Sequence, residues 1–151
     1  MTTVVPDNKA GPKDGPTQQS LSLTGGHRRT LNASKLVLIV DDDPDLRDVT
    51  SFVLTGEGFG VETAQNGKEA LQRLHAGTPP AVVLLDLMMP VMNGYQFLEE
   101  VTKVPSLQEI PIVVLTASSL MEVPQAVEVV HKPIDLKLLI KIVERHAHGT
   151  G

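Results

Sequence analysis

The chain has 151 residues, 41% of them hydrophobic, a formal net charge of −5 and no cysteine, enough apolar material for one core of ordinary size and not for two. The acidic balance argues against direct nucleic-acid binding, because an even phosphate field would repel it, and 3% aromatic residues provide no stacking platform for bases. The missing cysteines exclude disulfides and thiolate metal sites, no apolar run approaches the ~20 residues of a membrane span, and the first thirty residues lack the apolar stretch of a secretory signal; a cytoplasmic location without a membrane partner is the expectation.

Residues 1–34 are rich in Pro, Gly, Ser, Thr and Gln and show no apolar periodicity, the composition of a disordered tail. His27, Arg28 and Arg29 form a small basic patch there, read as solvated linker rather than as a docking motif. The folded domain is expected over 35–146, followed by a flexible tail at 147–151.

Leu36-Val37-Leu38-Ile39-Val40 reads as a strand buried on both faces. After Asp41-Asp42-Asp43, Pro44 suits a first helical turn, and Leu46, Val49 and Val53 follow at helical spacing until Gly56 and Gly58. The cycle repeats with a strand over Gly60 to Ala64 and a helix over Lys68 to His75. Ala81 to Leu85 forms a second fully apolar strand ending on Asp86. A Pro90/Gly94 loop then leads to a helix carrying Phe97, Leu98 and Val101. Ile112 to Leu115 ends on Thr116, a fifth strand lies within Ala126 to His131, and Asp135 caps a last helix with Leu136, Leu139, Ile140 and Val143 inward. Alternating strands and helices at short connections specify an α/β, doubly wound, five-stranded parallel sheet of flavodoxin-like strand order 2-1-3-4-5, with helices on both faces. Ligands of such sheets bind at the carboxyl ends of the strands, near the switch point.

Those ends carry residues that their apolar neighbours do not predict: Asp41 and Asp42 after the first strand, Asp86 after the third, Thr116 after the fourth, and Lys132-Pro133 after the fifth. Three carboxylates gathered in one crevice repel one another unless a cation sits among them. A hard dication fits: Mg2+ prefers oxygen ligands and commonly takes one or two carboxylates plus phosphate oxygens. Metal and Lys132 together could then neutralise a transferring phosphoryl group. Asp86, between the others, is the candidate nucleophile.

Four blocks, in this order, resemble the receiver domain of bacterial response regulators: Val37 to Pro44, Leu85 to Gly94 with its Asp-x-x-Met-Pro-x-Met-x-Gly pattern, Val114 to Ala117, and Lys132-Pro133. The resemblance covers about 35–146. It implies a stand-alone response regulator of a two-component system, not a turnover enzyme, whose Asp86 accepts a phosphoryl group from a histidine kinase or histidine phosphotransfer protein and which signals through a protein partner. Asp41 and Asp42 would hold Mg2+ together with Asp86 and the backbone carbonyl of Met88. Thr116 would meet the phosphoryl group, Ala117 would leave room for it, Lys132 would contact it, and Pro133 would follow a cis peptide bond. Gly94 would meet a turn requirement.

Two departures stand out. Val129 occupies the position, three before the lysine, where the family usually carries an aromatic switch residue. Only 16 positions separate Thr116 from Lys132, interrupted by Pro124, so the helix between the fourth and fifth strands is expected to be short or remodelled. These departures motivate an alternative, a receiver-like interaction module that works without phosphorylation. A phosphatase of the haloacid-dehalogenase type is disfavoured because Met88 stands where its general acid would be.

Overall fold

The computed structural model describes residues 35–118 and 122–149; the expected tail at 1–34, with its basic patch, lies outside them. Strands β1 (Leu36–Val40), β2 (Gly60–Ala64), β3 (Val82–Asp86), β4 (Ile112–Thr116) and β5 (Glu128–His131) form one sheet in the order β2-β1-β3-β4-β5, with every pairing parallel. This is the doubly wound arrangement that the alternating pattern specifies. The uninterrupted apolar runs have their explanation here: β3 and β4 are buried along their whole length, and each buried Val or Leu contributes roughly 1.5–3 kcal/mol.

Helix α1 spans Pro44–Gly56, α2 Gly67–Ala76, α3 Gly94–Thr102 and α4 Leu136–Gly149, with a 3-10 turn at Pro105–Leu107. Each α-helix starts on a side chain that can accept from orphan N–H groups. Asp43 Oδ1 accepts from Asp45 and Leu46 N–H, Asn66 from Glu69 N–H, and Asp135 from Lys137 and Leu138 N–H. Asn93 and Gln96 form a reciprocal capping box. One face of the sheet, with Leu38, Val40, Val83, Leu85 and Val114, packs against Ala70 and Leu74 of α2 and Phe97, Leu98 and Val101 of α3. The other, with Val37, Ile39, Leu84 and Leu115, packs against Leu54 of α1 and Leu139, Ile142 and Val143 of α4.

Two details differ from the sequence-based expectation, while the connection from β4 to β5 is remodelled as its short spacing predicts. In α1 the buried positions are Thr50 and Leu54, whereas Val49 is 47% exposed; the inward stripe runs one position later than the apolar spacing suggests, because a buried threonine does not register as apolar. Helix α4 continues to Gly149 through part of the stretch expected as a flexible tail at 147–151. Ala147, four residues after Val143, is buried in the core, and the His148 ring lies 6.4 Å from that of Phe59. His146 sits in the same helix, with Nε2 2.9 Å from Glu128 Oε1, and Arg145 joins the same carboxylate at 3.0 Å. That pair of contacts holds the Glu128 carboxyl below its ordinary pKa, the His146 hydrogen bond contributing most. Between β4 and β5 the described residues contain no helix. The chain returns through a turn in which Ala126 N–H donates to Val123 O, and Val123 is buried in the core.

Candidate functional site

The strand order reverses between β1 and β3, and the polar residues converge on the carboxyl ends beside that point. Asp41 follows β1 directly and is 1% exposed. Its N–H donates to Ala64 O, and its Oδ1 accepts from Asp43 N–H at 2.9 Å. Asp42 is exposed. Asp86 closes β3 at 5% exposure and accepts from Met88 N–H at 3.3 Å. One oxygen of each of these three carboxylates lies within 4.8 Å of the other two. The run Asp41-Asp42-Asp43 is thereby divided by role: Asp43 is the helix cap, and the two before it face the crevice.

Lys132 enters the same crevice from the end of β5. Its Nζ is 3.2 Å from Asp41 Oδ2 and 3.6 Å from Asp86 Oδ1. Its own N–H donates to Thr116 O at 2.8 Å, tying the ends of β4 and β5 together. The Lys132–Pro133 peptide is cis. Thr116 is buried, and its hydroxyl oxygen accepts from Ser118 N–H at 3.1 Å. Ala117 and the Met88 side chain are exposed at the rim. Ion pairs thus join Lys132 to Asp41 and Asp86, and Asp42 lies within shared-ligand distance of the two carboxylates, while Thr116 is placed beside them by strand register, Asp86 pairing with Leu115.

Burial raises the Asp86 carboxyl from 3.8 to about 6, the negative charges of Asp41 and Asp42 add to the shift, and Lys132 and Met88 N–H oppose it. Crowded carboxylates of this kind fit a hard cation: the donors are all oxygen, and positive charge would relieve their repulsion.

Gly94 opens α3 without a positive φ, so the turn requirement expected of it is replaced by close approach. A Cβ there would lie 2.7 Å from Asp86 O and 2.7 Å from Leu87 Cα. The positive φ falls instead on Val91, at 70°, in a γ-turn closed by Met92 N–H donating to Pro90 O. Two contributors escaped the sequence reading. Gly67 leaves room for Met92, whose Cγ would lie 2.8 Å from an added Cβ, and Arg47 donates to Asp41 O at 2.6 Å. A glycine at a helix start and an arginine inside a helix carry no signal of such partners.

The family model for the response regulator receiver domain matches residues 37–144. The chain belongs to this family. Receiver domains are signalling modules with a phosphoacceptor role rather than turnover enzymes. The TrrA response regulator of Thermotoga maritima, solved in complex with Mg2+-BeF, is 32% identical over 74% of this chain and 98% of its own, with a TM-score of 0.66. A 14.6 kDa protein of Leptolyngbya boryana is 37% identical over 73% of this chain and 88% of its own length. A transcriptional regulatory protein CpxR homolog of Haemophilus influenzae is 50% identical over 84 residues. The receiver spans about a third of that regulator, 34% of its length, and most of the Leptolyngbya protein. Among the described residues, no helix is long and apolar enough to cross a membrane.

Proposed function

We propose that this receiver takes a phosphoryl group from a phosphohistidine of a histidine kinase or histidine phosphotransfer protein onto Asp86, in a Mg2+-dependent reaction, and signals through contacts with another protein. The observation that carries the reading is the Asp41, Asp42, Asp86 and Lys132 cluster, four groups from three strand ends within ion-pair or shared-ligand distance.

Asp86 is the nucleophile. A carboxyl raised to about 6 is largely ionised near neutral pH, yet more basic than an ordinary aspartate. The Asp86 oxygen bonds to phosphorus, the P–N bond of the donor breaks, and its electron pair returns to the imidazole nitrogen, leaving an acyl phosphate. Lys132, already between Asp41 and Asp86, supplies fixed positive charge to the phosphoryl oxygens. Asp41, Asp42, Asp86 and the backbone carbonyl of Met88 would hold Mg2+, which would supply positive charge against the negative charge of the group being transferred. Thr116 would exchange its bond from Ser118 N–H for one to the phosphoryl group, with Ala117 leaving space. Hydrolysis of the same acyl phosphate would end the signal.

The test is transfer from a phosphorylated histidine phosphotransfer protein, with Mg2+ and with chelator. Transfer to Asp86 in the first and none in the second is the expected result. If no transfer occurs in either, while small phosphodonors also fail, the chain is instead the phosphorylation-independent interaction module that the short Thr116–Lys132 connection suggests.

A further inference from the structure

We infer that Arg47 is a positioning residue for the acidic pair, acting through the Asp41–Asp42 peptide rather than by touching a ligand. This rests on the metal reading of the cluster. Side chains of a helix lean toward its N-terminus, so Arg47, in the first turns of α1, reaches back over the helix start to the end of β1. There its Nη1 donates to the carbonyl oxygen of Asp41 at 2.6 Å, a short bond from a group that stays charged at any working pH.

The placement of that bond decides its consequence. The carbonyl of Asp41 and the N–H of Asp42 belong to one rigid plane, so Arg47 fixes the orientation of the peptide on which Asp42 is mounted. On the other side of Asp42, Asp43 is held twice: its N–H donates to Asp41 Oδ1, and its carboxylate caps α1. The backbone of Asp42 is therefore clamped from both sides. Its own carboxylate is exposed and, among the described residues, takes part in no hydrogen bond, free to face a cation. Asp41, by contrast, is buried and already engaged by Lys132 and Asp43 N–H. Of the pair, Asp42 is the member whose aim depends on its backbone, and Arg47 sets that aim.

Two opposite effects of Arg47 on a dication can be separated by sign. As a nearby cation it would repel the metal, so removing it would tighten binding. As a clamp it preorganises a ligand, and loss of such outer partners typically weakens metal affinity about 10–100-fold. Magnesium titration of the full chain, followed by amide NMR, compares the wild type with Arg47→Met, Arg47→Lys and Asp42→Ala. Arg47→Met is expected to bind about tenfold more weakly and to shift the Asp42 amide resonance before any Mg2+ is added, with its melting temperature little changed. Arg47→Lys, which keeps the charge but not the planar fork, should fall between it and the wild type. If Arg47→Met does not fold, Arg47→Lys carries the comparison, and unchanged affinity there overturns the inference. Equal or tighter binding by Arg47→Met also overturns it while leaving the metal reading intact. A wild type that binds no Mg2+ removes both.

Discussion

Lys132 Nζ lies 3.2 Å from Asp41 Oδ2 across a sequence separation of 91 positions, which ties the end of the edge strand β5 to the end of the interior strand β1. The same ammonium lies 3.6 Å from Asp86 Oδ1, so one cation serves two carboxylates. Replacing it with an uncharged side chain of similar length removes the main opposing charge on Asp86. In Lys132→Met the Asp86 carboxyl is therefore expected to titrate above about 6, because the charge that lowers it is gone. A carbon-detected NMR titration in chelator measures it; an unchanged or lower value would mean that the ion pair is not maintained in solution.

The raised Asp86 carboxyl makes the metal-free fold sensitive to pH. Well below 3.8 the group is protonated in both folded and unfolded chains and contributes nothing to the pH dependence. Between the ordinary 3.8 and about 6 the folded state keeps a proton that the unfolded chain releases, so stability falls as pH rises, and above that window the full cost remains. Asp86→Asn is expected to be more stable than wild type by about 1–3 kcal/mol at pH 8 in chelator, with the difference largely gone at about pH 3, below the ordinary 3.8. Denaturant unfolding at the two pH values measures this, and an equal gain at both would separate it from titration.

Gly94 supports Asp86 from behind. Gly94→Ala places a methyl group 2.7 Å from the Asp86 carbonyl oxygen and the Leu87 Cα, backbone atoms that cannot rotate aside. A loss of about 1–3 kcal/mol is expected, together with weaker Mg2+ binding because the acceptor loop must shift. A variant as stable as wild type would show that α3 moves away freely.

Thr50 Oγ1 is buried without a hydrogen-bond partner, an arrangement that costs about 1–3 kcal/mol in desolvation. Thr50→Val keeps the shape and β-branching and removes the orphan hydroxyl. It should raise the melting temperature, with a gain of about 1 kcal/mol; a lower melting temperature would indicate that the hydroxyl is satisfied in solution.

The strands were legible because parallel strands buried on both faces leave unbroken runs such as Val82 to Leu85, and a lone Asp86 after such a run is conspicuous. The acidic pair, the acceptor and Lys132 could be placed because a doubly wound sheet delivers every strand end to one side. Less was legible where the deciding feature is a small or polar group in a tight place. Thr50 is inward-facing without being apolar, Ala147 extends α4 beside two histidines, and Gly94 and Gly67 answer to neighbours distant in the chain or across a loop. Arg47 bonds to main chain, and a carbonyl partner leaves no mark in a sequence.

The most direct measurement is intact-mass spectrometry of the full chain after incubation with Mg2+ and a small phosphodonor, with peptide mapping and with Asp86→Asn alongside. The gain of a single phosphoryl group on the wild type, mapped to Asp86, lost in chelator and missing from Asp86→Asn, is the predicted result. Labelling of Asp86→Asn to the wild-type extent, or an unmodified wild type in the presence of Mg2+, would contradict the account.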